Sequence, residues 1–296
     1  MSGGALPTFL VIGAAKCGTS SLHQYLGEHP EVQMSRTKEL GFFQDRGNPG
    51  AYSAPHDPRL TALFLASRNW SRGLDWYRSQ FDQAARVRGE SSPGYTSAHY
   101  RGTAERIASV LPDARLIFCV RDPVERAISA YRWRRGLGDE RRSAPEALVP
   151  GSYYVENSRY AARLAPYLDR FPRERILVVE AEQLDHNRLE TLREVFAFLE
   201  VDEDFSSPAF ERRWNVTGTQ RGVRWRAISR LRTLPWWSSV ATRVPGRAVW
   251  RVQRLTTARP AVEAEVVAPA ALADSLREDA ERFRAMVGLE FPGWSV

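Results

Sequence analysis

The stretch from Phe9 to Leu26, FLVIGAAKCGTSSLHQYL, constrains the chain more than any other. Phe9 to Ile12 reads as a buried strand, Gly13 to Gly18 as a loop of small residues, and Thr19 to Leu26 as the first turns of a helix. A small-residue loop that runs into a helix N-terminus is suited to an anion. Its N–H groups converge, and the helix dipole adds roughly half a positive charge. Lys16, inside the loop, adds a full charge, and Gly13 and Gly18 relieve the crowding of a tight turn.

The spacing Gly13-Ala-Ala-Lys16-Cys17-Gly18-Thr19-Ser20 loosely resembles a Walker A loop. Thr19, however, stands where the Walker lysine belongs, and the lysine lies three places earlier. This displacement points to a phosphate-bearing donor handled without the usual Mg·ATP geometry. A strand-to-helix turn carrying a surface lysine is the structural alternative.

Lysine usage singles out two places. Of 42 basic side chains only Lys16 and Lys38 are lysine, the rest being arginine. A compact point charge in an otherwise arginine-using chain marks both positions. The net charge of +7 is local. Arg212 to Ala261 holds twelve arginines and no acid, which leaves the remainder net −5. A whole-protein nucleic-acid reading is therefore weak, and no nucleic-acid partner is expected.

At 296 residues and 43% apolar, one large core and a single domain over 1–296 are expected, with a basic Trp/Arg-rich insertion at about 223–262. There is no run of about 20 apolar residues for a membrane span. There is also no basic-then-apolar leader pattern at the N-terminus. Cys17 and Cys119 make no disulfide framework, so a reducing cytoplasm is the expected compartment. No Cys/His cluster has zinc spacing, and no metal site is expected.

Taken in order, residues 1 to 8 read as a loose end. His29-Pro30 stops the first helix before a short strand, Val32 to Ser35. In Lys38-Glu39-Leu40-Gly41-Phe42-Phe43, one aromatic can pack inward while the other lines a cleft, and a tuned carboxylate there can act as a general base. The alternative is an ordinary loop with a salt-bridging Glu39 and two core phenylalanines. Residues 44 to 73 read as a long surface connection, Gly73 to Phe81 as a short amphipathic helix, Val87 to Glu90 as a strand and Thr103 to Leu111 as a helix.

Ala114 to Val120 is the clearest buried strand. It runs into Arg121-Asp122-Pro123, with Asp122 as N-cap and Pro123 at the first helical position. Arg121 then stands at the carboxyl end of a central strand, where open α/β sheets bind ligands, and Ser129 lies two turns into the helix. Together they can hold a second phosphate. Equally, Arg121 can pair with a nearby acid. A loop and helix over Gly151 to Leu168, a strand at Arg175 to Val179 and helices over Leu189 to Leu199 and Pro269 to Val287 complete the pattern. Strand–loop–helix alternation of this kind predicts α/β architecture with a mainly parallel central sheet flanked by helices.

Five motifs occur in order: Lys16-Cys-Gly-Thr-Ser-Ser-Leu, His29-Pro30, Lys38-Glu39-x-x-Phe42-Phe43, Glu90-Ser-Ser-Pro93-x-Tyr95 and Arg121-Asp-Pro-x-x-Arg126-x-x-Ser129-x-Tyr131. The ending, Leu276 through Gly288 to Trp294, fits the same pattern. With these motifs the chain resembles sulfotransferases that use 3′-phosphoadenosine 5′-phosphosulfate (PAPS), and within them the heparan sulfate N- and O-sulfotransferase branch and its bacterial relatives. The resemblance covers most of residues 9 to 200 and implies the P-loop-like sulfotransferase fold.

It also implies roles. Lys16, Cys17, Gly18, Thr19, Ser20 and Ser21 would cradle the 5′-phosphosulfate, and Arg121 and Ser129 the 3′-phosphate. Glu39 would be the general base, with Lys16 sharing the catalysis; apart from the resemblance, Glu90 is the second choice as base because it ends a strand near the same cleft. Lys38, Phe42, Phe43 and Tyr95 would border the acceptor. Arg221 and Arg224, in a loop whose spacing departs from the family's pattern, would close over the donor. Sulfuryl transfer is an in-line displacement that asks the protein mainly for positioning and charge. PAPS is thus the expected co-substrate, its 3′,5′-bisphosphate the product, and a hydroxyl or amine of a glycan, lipid or small natural product the acceptor.

Two other functions fit parts of the sequence. A P-loop kinase or NTPase is disfavoured by Thr19 and by the lack of a clear Walker B aspartate. A non-catalytic nucleotide- or glycan-binding module is disfavoured by retention of both Lys16 and Glu39. The segment 224–259, with Trp225, Trp236, Trp237 and Trp250 among nine arginines, has three readings: recognition of an anionic acceptor, peripheral contact with a membrane surface, or a lid helix with a solvated basic face.

Overall fold

The apolar runs form the strands of one parallel sheet. The computed structural model describes residues 5–44, 69–137, 140–212, 222–223, 257–258 and 268–296. The strands are β1 (Phe9–Gly13), β2 (Val32–Met34), β3 (Val87–Ser91), β4 (Arg115–Val120) and β5 (Ile176–Glu180), in the order β2-β3-β1-β4-β5. Every pairing in this sheet is parallel, with Phe9 opposite Gly89 on one side and Arg115 on the other. Phe9 to Ile12 and Leu116 to Val120 are fully buried. Strands covered on both faces read as unbroken apolar runs, which is why these two were the most legible.

The helices are α1 (Thr19–Glu28), α2 (Gly73–Arg78), α3 (Thr103–Val110), α4 (Pro123–Leu137), α5 (Ala144–Ala147), α6 (Tyr153–Glu156), α7 (Tyr160–Leu168), α8 (Ala181–His186), α9 (Arg188–Leu199) and α10 (Ala270–Val287). Leu22 and Leu26 of α1, Tyr160 and Leu164 of α7, Leu192, Val195, Phe196 and Leu199 of α9 and Phe283 of α10 join the sheet in the main core. A second cluster joins Val124, Ala127 and Ile128 of α4 to Tyr154 of α6 and Leu272 and Leu276 of α10. α10 thus spans both cores.

Its buried Asp279 does more than pack. The carboxylate accepts from the N–H groups of Ala161 (2.9 Å) and Ala162 (3.1 Å), so α10 caps the start of α7 across the fold. Asp122 caps α4 as its position in the sequence predicts, accepting from Val124 (2.8 Å) and Glu125 (2.9 Å).

Two expectations change. The chain is already anchored before Phe9. Thr8 N–H donates to Arg88 O at 2.7 Å, and Arg88 Nε donates to Leu6 O at 2.9 Å, because β3 lies alongside. The strand at Val32 ends at Met34 rather than Ser35. Most of the 44–73 connection and nearly all of the basic insertion lie outside the described residues. Within the insertion, Gly222–Val223 and Thr257–Ala258 pair as an antiparallel ribbon, β6 and β7, and β6 runs beside α4.

The carboxyl ends of β1, β3, β4 and β5 converge on one edge, at the point where the strand order reverses about β1. Gly13 is required there because a Cβ on it would overlap Thr96 Oγ1. We therefore expect Gly13→Ala to destabilise by about 1–3 kcal/mol, as overpacking does. Thr96→Ala in the same chain should recover part of the loss. Urea melts that match wild type for the single variant would contradict this packing.

Candidate active site

The loop after β1 takes the shape its sequence suggests. Lys16 and Gly18 both adopt left-handed backbone, at φ 75° and 77°. Gly18 starts α1, and no side chain caps that helix and no acid lies in its first turn. The first N–H groups of α1 therefore stand at the positive end of the helix dipole with no N-cap side chain over them. Burial, Arg121 and Arg126 together push the Lys16 pKa down, and among the described residues no carboxylate pairs with its ammonium.

Behind the loop lies Arg126, a fully buried guanidinium from α4. Its Nε donates to Ala15 O (3.1 Å), and Nη1 donates to Tyr154 O (2.9 Å) and Ser158 Oγ (3.2 Å). Its Nη2 has no partner among the described residues. Nearly one turn on, Ser129 is 4% exposed and its hydroxyl has no hydrogen-bond partner among the described residues. Buried polar atoms are normally satisfied, so two such orphans on one helix beside an anion loop fit an anionic ligand.

Arg121 follows β4 and is held by acids, with Glu125 Oε2 at 3.2 Å and Glu182 Oε1 at 3.8 Å. Glu182 also accepts from Asp122 N–H at 3.1 Å. The pairing alternative raised by the sequence is thus realised. Arg121 has to exchange these half-exposed partners to reach a phosphate.

Glu39 sits in the loop after β2. Its backbone is left-handed at φ 61°, an uncommon state for a residue with a Cβ. Its N–H donates to Ser91 O (3.0 Å), and Gly41 N–H donates to Ser92 Oγ (3.1 Å), which hooks this loop onto the end of β3. The carboxylate is 62% exposed and meets Lys38 Nζ at 2.6 Å. The charges of Lys38 and Glu39 both act on His23 of α1, whose pKa burial lowers to about 4. The pair therefore lies on the α1 side of the cleft.

A sequence model described as "Sulfotransferase family" matches residues 7–205. The chain belongs to the sulfotransferase family. The heparan sulfate glucosamine 3-O-sulfotransferase 3B1 of Mus musculus is 30% identical over 207 residues, covering 66% of this chain and 46% of that protein. The membrane-associated sulfotransferase kil1 of Dictyostelium discoideum is 31% identical over 133 residues, 43% of this chain and 23% of that one. The chain spans less than half the length of these curated relatives. A solved sulfotransferase from Alicyclobacillus acidocaldarius matches with TM-score 0.67 at 27% identity, over 99% of this chain and 100% of that one. The P-loop-like sulfotransferase fold implied by the motifs is the fold observed.

Within this member of the family, several residues sit elsewhere than the motifs suggest. Phe42 and Phe43 are both core residues, 2% and 0% exposed, in an aromatic cluster with Tyr77, so neither lines a cleft. Tyr95 is buried too, and its hydroxyl donates to Glu90. Cys17 points inward. Its thiol lies 3.4 Å from Tyr160 Oη, its N–H donates to Ala14 O at 3.2 Å, and burial pushes its pKa up to about 11. It shapes the loop from behind. Arg221 and Arg224 lie outside the described residues. Sequence reasoning gave no role to Arg126, although the Arg-Asp-Pro-x-x-Arg spacing was its signal.

Glu90, the alternative base, is fully buried and engaged. Besides Tyr95, it accepts from Tyr77 Oη (3.0 Å) and Ser92 Oγ (3.3 Å). Burial outweighs these bonds and raises its pKa from an ordinary 4.5 to about 7. Between those two values the folded state holds a proton that the unfolded chain releases. Stability from this group therefore falls as pH rises from about 4.5 to 7 and is level on either side. Glu90→Gln should remove that slope. The stability difference between variant and wild type, from denaturant melts, should move in the variant's favour from pH 5 to pH 7.5, and parallel profiles would refute the assignment.

Proposed function

We propose that this chain is a PAPS-dependent sulfotransferase acting on a hydroxyl or amine. The observation that carries the reading is a cluster of positive groups with no counter-ion among the described residues: Lys16, the α1 N-terminus and the buried Arg126 meet at one edge of the sheet. Such a cluster is stable and useful only with an anion in it. The orphaned Ser129 hydroxyl beside it supports a second phosphate position.

On this reading the donor supplies an activated sulfuryl group. Lys16 and the N–H groups of the Gly18–Ser21 turn bind its 5′ end and stabilise the negative charge that grows there on transfer. Arg121 and Ser129 bind the 3′-phosphate, which selects the donor over ATP. Arg221 and Arg224, which lie outside the described residues, close over the donor on this reading. Glu39 takes the acceptor's proton, and Lys38 holds the carboxylate in place at 2.6 Å. Its exposure suits an acceptor that arrives from solvent.

The acceptor is a glycan, lipid or small natural product. Carrying heparan sulfate over from the 3-O-sulfotransferase relative narrows this to an anionic glycan, which the arginines of 224–259 suit. The likeness to a membrane-associated relative keeps a membrane surface as the alternative role for that segment. Both cysteines are free and buried, which suits a reducing cytoplasm, and no helix among the described residues is long and apolar enough to cross a membrane.

Thermal-shift titration tests the donor class. A ligand at a hundred times its dissociation constant stabilises by about 2.7 kcal/mol. We expect adenosine 3′,5′-bisphosphate to stabilise the protein without Mg²⁺, and ADP to do so much less. A Mg²⁺-dependent response to ATP alone would overturn the assignment. Glu39→Gln should abolish transfer while leaving bisphosphate affinity within a few-fold, and normal turnover would remove Glu39 as the base. Arg121→Ala should weaken the 3′-phosphorylated nucleotide strongly and its 3′-dephosphorylated form little. Equal losses would count against the 3′-phosphate role.

A further inference from the structure

Lys16 is a partly buried cation with no acid paired to it among the described residues, and the charges of Arg121 and Arg126 repel it. What lies beside the ammonium is a ring. Lys16 Nζ is 5.6 Å from the centroid of the Trp133 indole. Trp133 belongs to α4, one turn beyond Ser129 and two beyond Arg126. Residues at this spacing share a helix face, so Arg126, Ser129 and Trp133 form a row running from the core out to the cleft. Arg126 and Ser129 are buried and Trp133 is exposed.

A ring holds an ammonium through its quadrupole and brings no opposing charge. A carboxylate in the same place would hold Lys16 more firmly, but it would also cancel the field that draws an anionic donor. We infer that Trp133 is a positioning residue for Lys16: its indole fixes the direction of the ammonium at the mouth of the loop while leaving its charge available to the donor. The inference rests on the reading of Lys16 as a donor-binding group and adds a residue outside the sequence motifs.

The composition makes the test direct. With only two lysines, reductive ¹³C-methylation labels Lys16, Lys38 and the terminal amine, and Lys16→Arg assigns the Lys16 resonance. In wild type, the indole ring current should displace that resonance upfield. In Trp133→Ala the displacement should vanish and the titration midpoint should fall, since the ring no longer favours the charged form against Arg121 and Arg126. Trp133→Phe should restore most of both. In turnover, Trp133→Ala should lower kcat roughly tenfold or more with a smaller change in donor KM, as misplacement of a transition-state contact does. The alkaline limb of its pH profile should move to lower pH.

Identical Lys16 shifts and midpoints in wild type and Trp133→Ala would overturn the inference. Adenosine 3′,5′-bisphosphate separates it from the reading beneath it. A Lys16 resonance that ignores the bisphosphate in wild type overturns the donor site itself. A response of equal size in wild type and Trp133→Ala overturns only the role of Trp133.

Discussion

Arg126 ties the anion loop to the rest of the fold without neutralising it. Its guanidinium has no solvent contact, and its partners are two carbonyls and a hydroxyl. These groups satisfy N–H donors but carry no net charge, so the positive field survives. An acid in their place would form a buried ion pair and remove that field. Geometry follows from the same contacts. Ala15 is fixed to α6, Tyr160 at the head of α7 lies 3.4 Å from the Cys17 thiol and donates to Arg121 O at 2.9 Å, and Asp279 caps α7 from α10. The loop is thus held by helices far away in sequence.

Carboxylates are distributed to suit that field. Glu125 and Glu182 are engaged with Arg121, and Glu182 also with the backbone at Asp122. Glu90 is sealed among Tyr77, Tyr95 and Ser92, where burial favours its neutral form. Glu39 is exposed, with Lys38 as its partner. Glu90 and Glu39 serve neighbouring segments yet differ in kind. Glu90 knits β3 to the aromatic cluster, and Glu39 stands on strained backbone hooked to the end of that strand. Exposure separates the carboxylate that meets solvent from the one that does not.

Much of this was legible in the residues. Strands buried on both faces announce themselves as apolar runs, and Asp122-Pro123 announces a helix start, so the main strands and long helices were legible; the helix expected to reach Phe81 ends at Arg78, and the short helices α5 and α8 and the β6–β7 ribbon carry no such signal. The loop after β1 was legible because left-handed turns and helix starts need particular small residues in a particular order. The aromatics were not. Adjacent phenylalanines on a loop are compatible with one facing a cleft, and only the packing of Tyr77 and Tyr95 around them draws both inward. Trp133 falls in no motif, and its meaning depends on where Lys16 ends up.

The sequence by itself determined the α/β class, the small-residue loop with Lys16 ahead of α1 and the family, because these are local patterns: period, turn sterics and spacing within a few residues. Tertiary structure decided which charges stay unpaired. Whether Lys16 finds an acid, whether Ser129 finds a partner and whether Glu90 meets solvent depend on residues brought together from distant parts of the chain. Electrostatic energy in a protein is set by distance and burial, and local sequence specifies neither across the fold.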